Sequence, residues 1–204
     1  MILTYHGDNF FRVQNGSFSL VSDPTSDRMK PNIILKTIIN TEKISAFSDA
    51  GAQIIDSAGE YDISGVEIKG IQIISESTEK FAKFIFLVKN FENFRLCFLG
   101  HLSEPLSPEI IDKIGEVDIL FLPVGDAPFL SVDSAVKIIK QLEPKIIIPA
   151  VLADGADKKL AKELGRELSL ENKLVLKFKD LPEKGSRLVI LKNEIITKPF
   201  RSEI

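Results

Sequence analysis

Apolar and polar residues alternate through the first half of the chain. Ile2–His6, Phe10–Gln14 and Phe18–Ser22 are short β-branched or aromatic runs with the period-two spacing of strands that bury one face. Gly7-Asp8-Asn9 and Asn15-Gly16 separate them and predict tight turns. Asn32–Thr37, entered after Pro31, is a further run, and from Ile54 to Ile74 short strands are punctuated by Gly59, Gly65 and Gly70. Phe81–Lys89 and Phe94–Leu99 flank Asn90-Phe91-Glu92-Asn93, which reads as a hairpin. In this half only Thr41–Ala50 leaves room for a helical turn or two.

The second half changes period. Ser107-Pro108-Glu109 supplies a hydroxyl N-cap, a proline at the first helical position and an acid at the positive end of the dipole, so a helix runs from there to Gly115. Ser131 caps a second helix, with Ala135, Ile138, Ile139 and Leu142 recurring at three and four before Pro144 stops it. Leu160, Leu164 and Leu168, spaced by four, predict a third over Lys158–Leu170. Asp118–Val124, Lys145–Val151, Val175–Phe178 and Arg187–Leu191 are strands, and Phe200–Ile204 is a frayed tail. Many meander strands followed by alternating strands and helices predict two packed sheets with helices outside. No linker rich in Pro, Gly or Ser divides the chain, so residues 1–204 read as a single domain. Ser17–Asp23 then Asn32–Thr37 weakly echoes Arg95–His101 then Asp118–Asp126.

Composition narrows the chemistry. Over 204 residues, 26 basic and 29 acidic side chains leave a net charge of -3, which disfavours nucleic acid as a partner. One cysteine excludes an internal disulfide and a Cys-rich zinc cluster, and two histidines, His6 and His101, exclude any cluster of imidazoles. No apolar run approaches the ~20 residues that span a bilayer, and the first residues lack a leader pattern, so a cytoplasmic location with no membrane association is expected.

Several segments carry a family resemblance. Thr4-Tyr5-His6-Gly7-Asp8-Asn9-Phe10-Phe11-Arg12, Ser22-Asp23-Pro24 and Gly59-Glu60-Tyr61-Asp62-Ile63-Ser64-Gly65-Val66 resemble the small metallo-β-lactamase-fold zinc hydrolases of the ascorbate-phosphate lactonase-like branch. So do Ile68-Lys69-Gly70-Ile71, Arg95-Leu96-Cys97-Phe98-Leu99-Gly100-His101-Leu102, Val117–Gly125 and Glu143–Pro149, in the same order. The resemblance spans nearly the whole chain. It implies an α/β (α+β) fold, a four-layer αββα sandwich of two mixed β-sheets, with the site along the sheet edges at one end.

It also implies what has been lost. Zinc chemistry of this kind rests on a metal-bound water whose pKa falls toward ~7. The family holds its metal with a histidine-rich HxHxDH loop, two further histidines and a bridging aspartate. After Asn32–Thr37 this chain instead has Ile38-Ile39-Asn40-Thr41-Glu42-Lys43, and no histidine lies between His6 and His101. Gly7-Asp8 stands for Gly-His, Phe98 for the histidine before Leu-Gly, His101 for the bridging aspartate, and Val151 or a neighbour for the last histidine. The resemblance thus predicts a degenerate metal site, no retained cofactor, and a pocket lined by Phe98, Ile38 and Val151.

His6, Asp8, His101 and Asp126 remain as candidates, each at or just past a strand end. They read either as polar residues in solvated turns or as a rebuilt mononuclear site for zinc or iron. His6 could face away from the cleft, because one residue changes sides in a strand. Asp23 and Glu60 read as groups that hold turns through backbone N–H. Cys97 reads as a small buried apolar residue. Lysines at 158, 159, 162, 173, 177 and 179 interleave with Glu163, Glu167, Glu171 and Asp180, the pattern of a solvated face. Fourteen phenylalanines and no tryptophan crowd the Phe81–Phe98 hairpin beyond what one inward face needs, and an exposed remainder would mark an association surface.

These readings predict a non-catalytic binding or assembly module, a pseudoenzyme, with an unknown protein partner or self-association. The alternatives are a metal-dependent hydrolase of a phosphoester or lactone with a rebuilt site, and an accessory subunit of an intact relative.

Overall fold

Two residues with positive φ, Glu92 (55°) and Asn93 (66°), turn the Phe-rich segment back on itself. That two-residue turn matches the right-handed twist of the strands it joins. In a computed structural model, which describes residues 1–26, 29–42, 51–125, 127–151 and 153–193, it forms the centre of a large sheet. In chain order the strands up to this point are β1 (Ile2–Tyr5), β2 (Phe11–Asn15), β3 (Phe18–Ser22), β4 (Ile33–Leu35), β5 (Ile38–Asn40), β6 (Gln53–Ile55), β7 (Gly59–Ile63), β8 (Val66–Gln72), β9 (Phe81–Phe91) and β10 (Phe94–Phe98). Then follow α1 (Pro108–Ile114), β11 (Ile119–Val124), α2 (Val132–Leu142), β12 (Ile146–Val151), α3 (Ala156–Leu164), β13 (Leu168–Glu171), β14 (Leu174–Val175) and β15 (Arg187–Leu191).

One sheet has the order β14-β1-β2-β3-β4-β6, and the other β13-β15-β12-β11-β10-β9-β8-β7 with β5 also paired to β9. Both are mixed. The two segments that echo each other in sequence are parallel pairs, β3 with β4 and β10 with β11. β5 continues beside β9 past the end of β10, with Ile38 opposite Lys83 and Phe98 opposite Phe86. Thr37 therefore meets the turn that leaves β10.

Alternation sorts the side chains into three apolar layers. Leu3, Phe11, Leu20 and Ile33 from the first sheet face Phe86, Phe98, Phe121 and Ile148 from the second, making the inter-sheet core. The outer face of the second sheet, with Ile85, Leu87, Leu120 and Ile147, packs under all three helices through Ile114, Ile138 and Leu160. On the outer face of the first sheet Phe10, Val21 and Ile34 form a smaller cluster with Met29, Ala52 and Ile54. Among the described residues no helix is long and apolar enough to cross a membrane.

Local chemistry accounts for most boundaries. Ser107 accepts from the Ile110 N–H and Gly115 (φ 67°) ends α1, while Ser131 accepts from the Ser134 N–H and Glu143 ends α2 in the left-handed region. Two expectations need correction. The third helix does not run over Lys158–Leu170: Gly165 (φ 62°) terminates it after Leu164, and its N–H closes on the carbonyls of Ala161 and Lys162. Leu168 then enters a strand parallel to β15, opposite Leu188. The strand expected over Val175–Phe178 is only Leu174–Val175, because Asp180 accepts from the Lys177 N–H and winds Phe178–Asp180 into a 3-10 turn. The turn expected over Thr41–Ala50 lies largely outside the described residues, as does the tail Phe200–Ile204.

Candidate functional site

The end of the sandwich where β3, β4 and β10 finish gathers a closed polar cluster. Asp23 follows β3 with φ 42° and donates its own N–H to the Leu35 carbonyl. Its Oδ1 accepts from the Thr37 N–H at 2.8 Å and its Oδ2 from the Thr37 hydroxyl at 2.5 Å. His101 Nδ1 lies 2.9 Å from the same hydroxyl and 3.7 Å from Asp23 Oδ2. Thr37 is fully buried. Burial pushes the Asp23 carboxyl up from its ordinary range, while the His101 ring, the two Thr37 bonds and Lys36 pull the other way.

The approach of the two chains depends on Gly100. It sits at φ 61°, and a Cβ there would stand 2.2 Å from Thr37 Cβ and Oγ1. No side chain fits in that space, so the glycine is what lets His101 reach Thr37. Phe129 flanks the imidazole at 6.4 Å between ring centres.

A second polar knot pins the segment that follows His101. The buried Glu76 carboxylate accepts from Lys83 Nζ at 2.8 Å, from the Ser103 N–H at 2.8 Å and hydroxyl at 2.5 Å, and from the Glu104 N–H at 3.0 Å. Desolvation favours its neutral form, but those donors prevail and hold the carboxyl below the usual glutamate range. Ile74, 80% exposed, and Phe81, 43% exposed, flank this knot on the neighbouring turn and strand end.

No bond joins His6 or Asp8 to this cluster among the described residues. His6 Nε2 is 2.9 Å from the Thr4 hydroxyl, and its ring packs on Phe10 at 4.8 Å. Phe10 belongs to the cluster on the outer face of the first sheet, whereas Tyr5 turns into the inter-sheet core, so His6 faces away from that core. Asp8 is exposed, and its carbonyl accepts from the Tyr5 hydroxyl at 2.9 Å. Burial, then the nearby Asp8 charge, pushes that phenol up to about 12. Asp126 lies outside the described residues. Glu60 is a surface group 3.9 Å from Lys69 Nζ. Asp23 does accept a backbone N–H, as expected, but from Thr37 across the sheet rather than within its own turn.

The expected apolar pocket is not lined by Phe98. That ring is 1% exposed and stacks on Phe121 at 4.4 Å with the planes 1° apart, deep between the sheets. The side chain of Val151 lies outside the description. Cys97 is fully buried in β10, where desolvation pushes its thiol far up. Five of the six phenylalanines of the β9–β10 hairpin face the inter-sheet core, Phe81 excepted, so one inward face does take them. Cavities of about 430 Å³ beside Glu60, Lys69 and Lys89, and about 470 Å³ beside Lys145 and Arg166, include none of the cluster residues.

A zinc or iron centre needs three or more convergent donors. Among the described residues no group of three His, Cys, Asp or Glu is placed to hold an ion. The described residues therefore assemble no such donor set.

Comparison with known proteins agrees with the fold. The family described as beta-lactamase superfamily domain matches residues 2–151. A metallo-beta-lactamase superfamily protein of Thermotoga maritima superposes with a TM-score of 0.77 at 22% identity, covering 93% of this chain and 97% of that one. Igni18, a metallo hydrolase of the archaeon Ignicoccus hospitalis, gives 0.62 at 15% identity over 86% of this chain and 94% of its own. The metallo-beta-lactamase fold protein YhfI of Bacillus subtilis gives 0.60 at 10% over 94% and 96%. At these identities the likeness is one of fold. No curated protein sequence matches the chain.

Proposed function

The chain belongs to the beta-lactamase superfamily, and from that membership we propose that it is a non-catalytic binding or assembly module built on a hydrolase-like metallo-β-lactamase fold. One observation carries the reading. At the place the resemblance assigns to a bridging aspartate stands His101, and its Nδ1 is committed to Thr37 and through it to Asp23. Among the described residues at these strand ends, Asp23, Thr37 and His101 bond to one another. The exposed Ile74 and Phe81 on the adjoining segments give the same end of the sandwich apolar surface for a partner or a second copy.

The test is metal analysis of protein purified without chelator, paired with melting curves. The expected result is no stoichiometric zinc, iron or manganese and a melting temperature that chelator leaves unchanged. A metal at a thousandfold excess over its dissociation constant would add ~4 kcal/mol, a shift too large to miss. One metal per chain with a chelator-sensitive melt overturns the reading. So does hydrolysis of a generic phosphodiester or lactone that is lost in His101→Ala.

A further inference from the structure

We infer that Asp23, acting through the Thr37 hydroxyl, fixes the neutral His101 ring as its Nδ1–H tautomer and leaves Nε2 as a hydrogen-bond acceptor. A protonated Asp23 would donate to Thr37 and give the opposite tautomer. With Asp23 ionised at the pH of the test below, its carboxylate only accepts, and Oδ1 already takes the Thr37 N–H. At 2.5 Å its Oδ2 takes the Thr37 hydroxyl proton as well, in the range of an O–H···O⁻ bond. That leaves Thr37 Oγ1 with lone pairs alone to offer His101 Nδ1 at 2.9 Å, so Nδ1 must carry the ring proton. A neutral imidazole has one such proton, and Nε2 is then a lone pair. No described residue is bonded to Nε2, and the side chain is 22% exposed.

The geometry holds this order in place. Gly100 brings the backbone onto Thr37, Phe129 flanks the ring, and Glu76 ties down Ser103 two residues on. Asp23 is thus a positioning residue that sets the polarity of a histidine it does not bond directly. The Nε2 lone pair suits a ligand that donates a hydrogen bond, such as a hydroxyl, an amide N–H or an ammonium group, over one that only accepts, such as phosphate. This deepens the binding reading above, on which its functional meaning rests.

The experiment is long-range ¹H–¹⁵N correlation on the full chain labelled at histidine, at ~pH 8, where an ordinary imidazole is neutral. With two histidines in the sequence, a His6→Gln variant assigns the signals. The expected spectrum has a protonated-type Nδ1 and a lone-pair-type Nε2 at His101. Asp23→Asn should reverse it: the amide oxygen keeps the Thr37 N–H, the amide NH₂ donates to Oγ1, and the hydroxyl proton turns to Nδ1, moving the ring proton to Nε2. An Nε2–H ring in the unmodified chain, or a tautomer indifferent to Asp23→Asn, overturns the inference. Either result leaves the metal test untouched, and a bound metal would overturn the binding reading without deciding the tautomer in the metal-stripped chain.

Discussion

His101 Nδ1 stands 3.7 Å from Asp23 Oδ2, and the buried hydroxyl of Thr37 bonds to both. The residues lie 14 and 64 positions from Thr37, so only the parallel pairing of β3 with β4 and the end of β10 brings them together. Thr37→Val keeps the shape but strips the hydroxyl, leaving a buried carboxylate oxygen without its donor. The expected cost is ~2–3 kcal/mol, against ~1 kcal/mol or less for Thr37→Ser, which keeps it. Denaturant midpoints at unchanged m-value measure both, and equal stabilities would remove the hydroxyl from the account.

Much of this fold is legible in the sequence because its signals are local. Ser107-Pro108 with Gly115, and Ser131 with Pro144, bound two helices through groups that act within a turn of themselves. Lys158–Leu170 shows the limit, since Leu160, Leu164 and Leu168 keep helical spacing straight through Gly165, and the glycine's left-handed backbone decides against the pattern. The site is less legible. Asp23 and His101 stand out by family resemblance, but Thr37 has no local signal, and neither does Glu76, whose donors come from Lys83 and Ser103 on other segments. His6 stands out by residue type, yet strand alternation turns it to the outer face.

Glu76 and Asp23 predict opposite pH dependences. The Glu76 carboxyl is held low in the fold, so its contribution is present above the unfolded value near ~4.3 and disappears as pH falls through the lower folded value. The stability advantage of the natural chain over Glu76→Gln should therefore grow as pH rises from ~2 to ~4.5 and then level off. Lys83 and Glu104 are the charged neighbours whose titration must be common to both proteins.

Asp23 runs the other way. Its folded value is raised, so its favourable contribution is complete below the unfolded value near ~3.9 and is lost as pH climbs through the folded one. Relative to Asp23→Asn, the natural chain should lose stability on going from ~pH 4 toward neutrality, with His101 and Lys36 as the facing basic groups. A difference that grows with pH would mean that the Thr37 bonds outweigh burial.

Phe98, at a position the family resemblance gives to a ligand, is packed in the inter-sheet core. It stacks on Phe121, which in turn packs on Phe11 of the opposite sheet at 4.9 Å. Phe98→Ala should cost ~3–5 kcal/mol, the range for truncating a buried aromatic residue. Phe81→Ala on the exposed end of the same hairpin should cost well under ~1 kcal/mol. Thermal or chemical unfolding of the pair separates a core ring from a rim ring, and similar losses would mean the rim is covered in solution.

Gly100 supplies the most exacting test of the cluster. Replacing it with alanine adds two separate penalties. The backbone at φ 61° costs a side-chain-bearing residue ~1–2 kcal/mol by itself. The new methyl would also fall 2.2 Å from Thr37 Cβ and Oγ1, a position it can occupy only if the chain after β10 withdraws from β5. Gly16 offers the control, because it has nearly the same backbone (φ 56°) with nothing within 4 Å of the added methyl. Gly16→Ala should then lose only ~1 kcal/mol, and Gly100→Ala ~3 kcal/mol or more, with the His101 ring signals shifting to those of an imidazole free of Thr37. Equal losses in the two variants would show that the strand ends can separate without consequence, and the closed contact between Thr37 and His101 would no longer describe the native state.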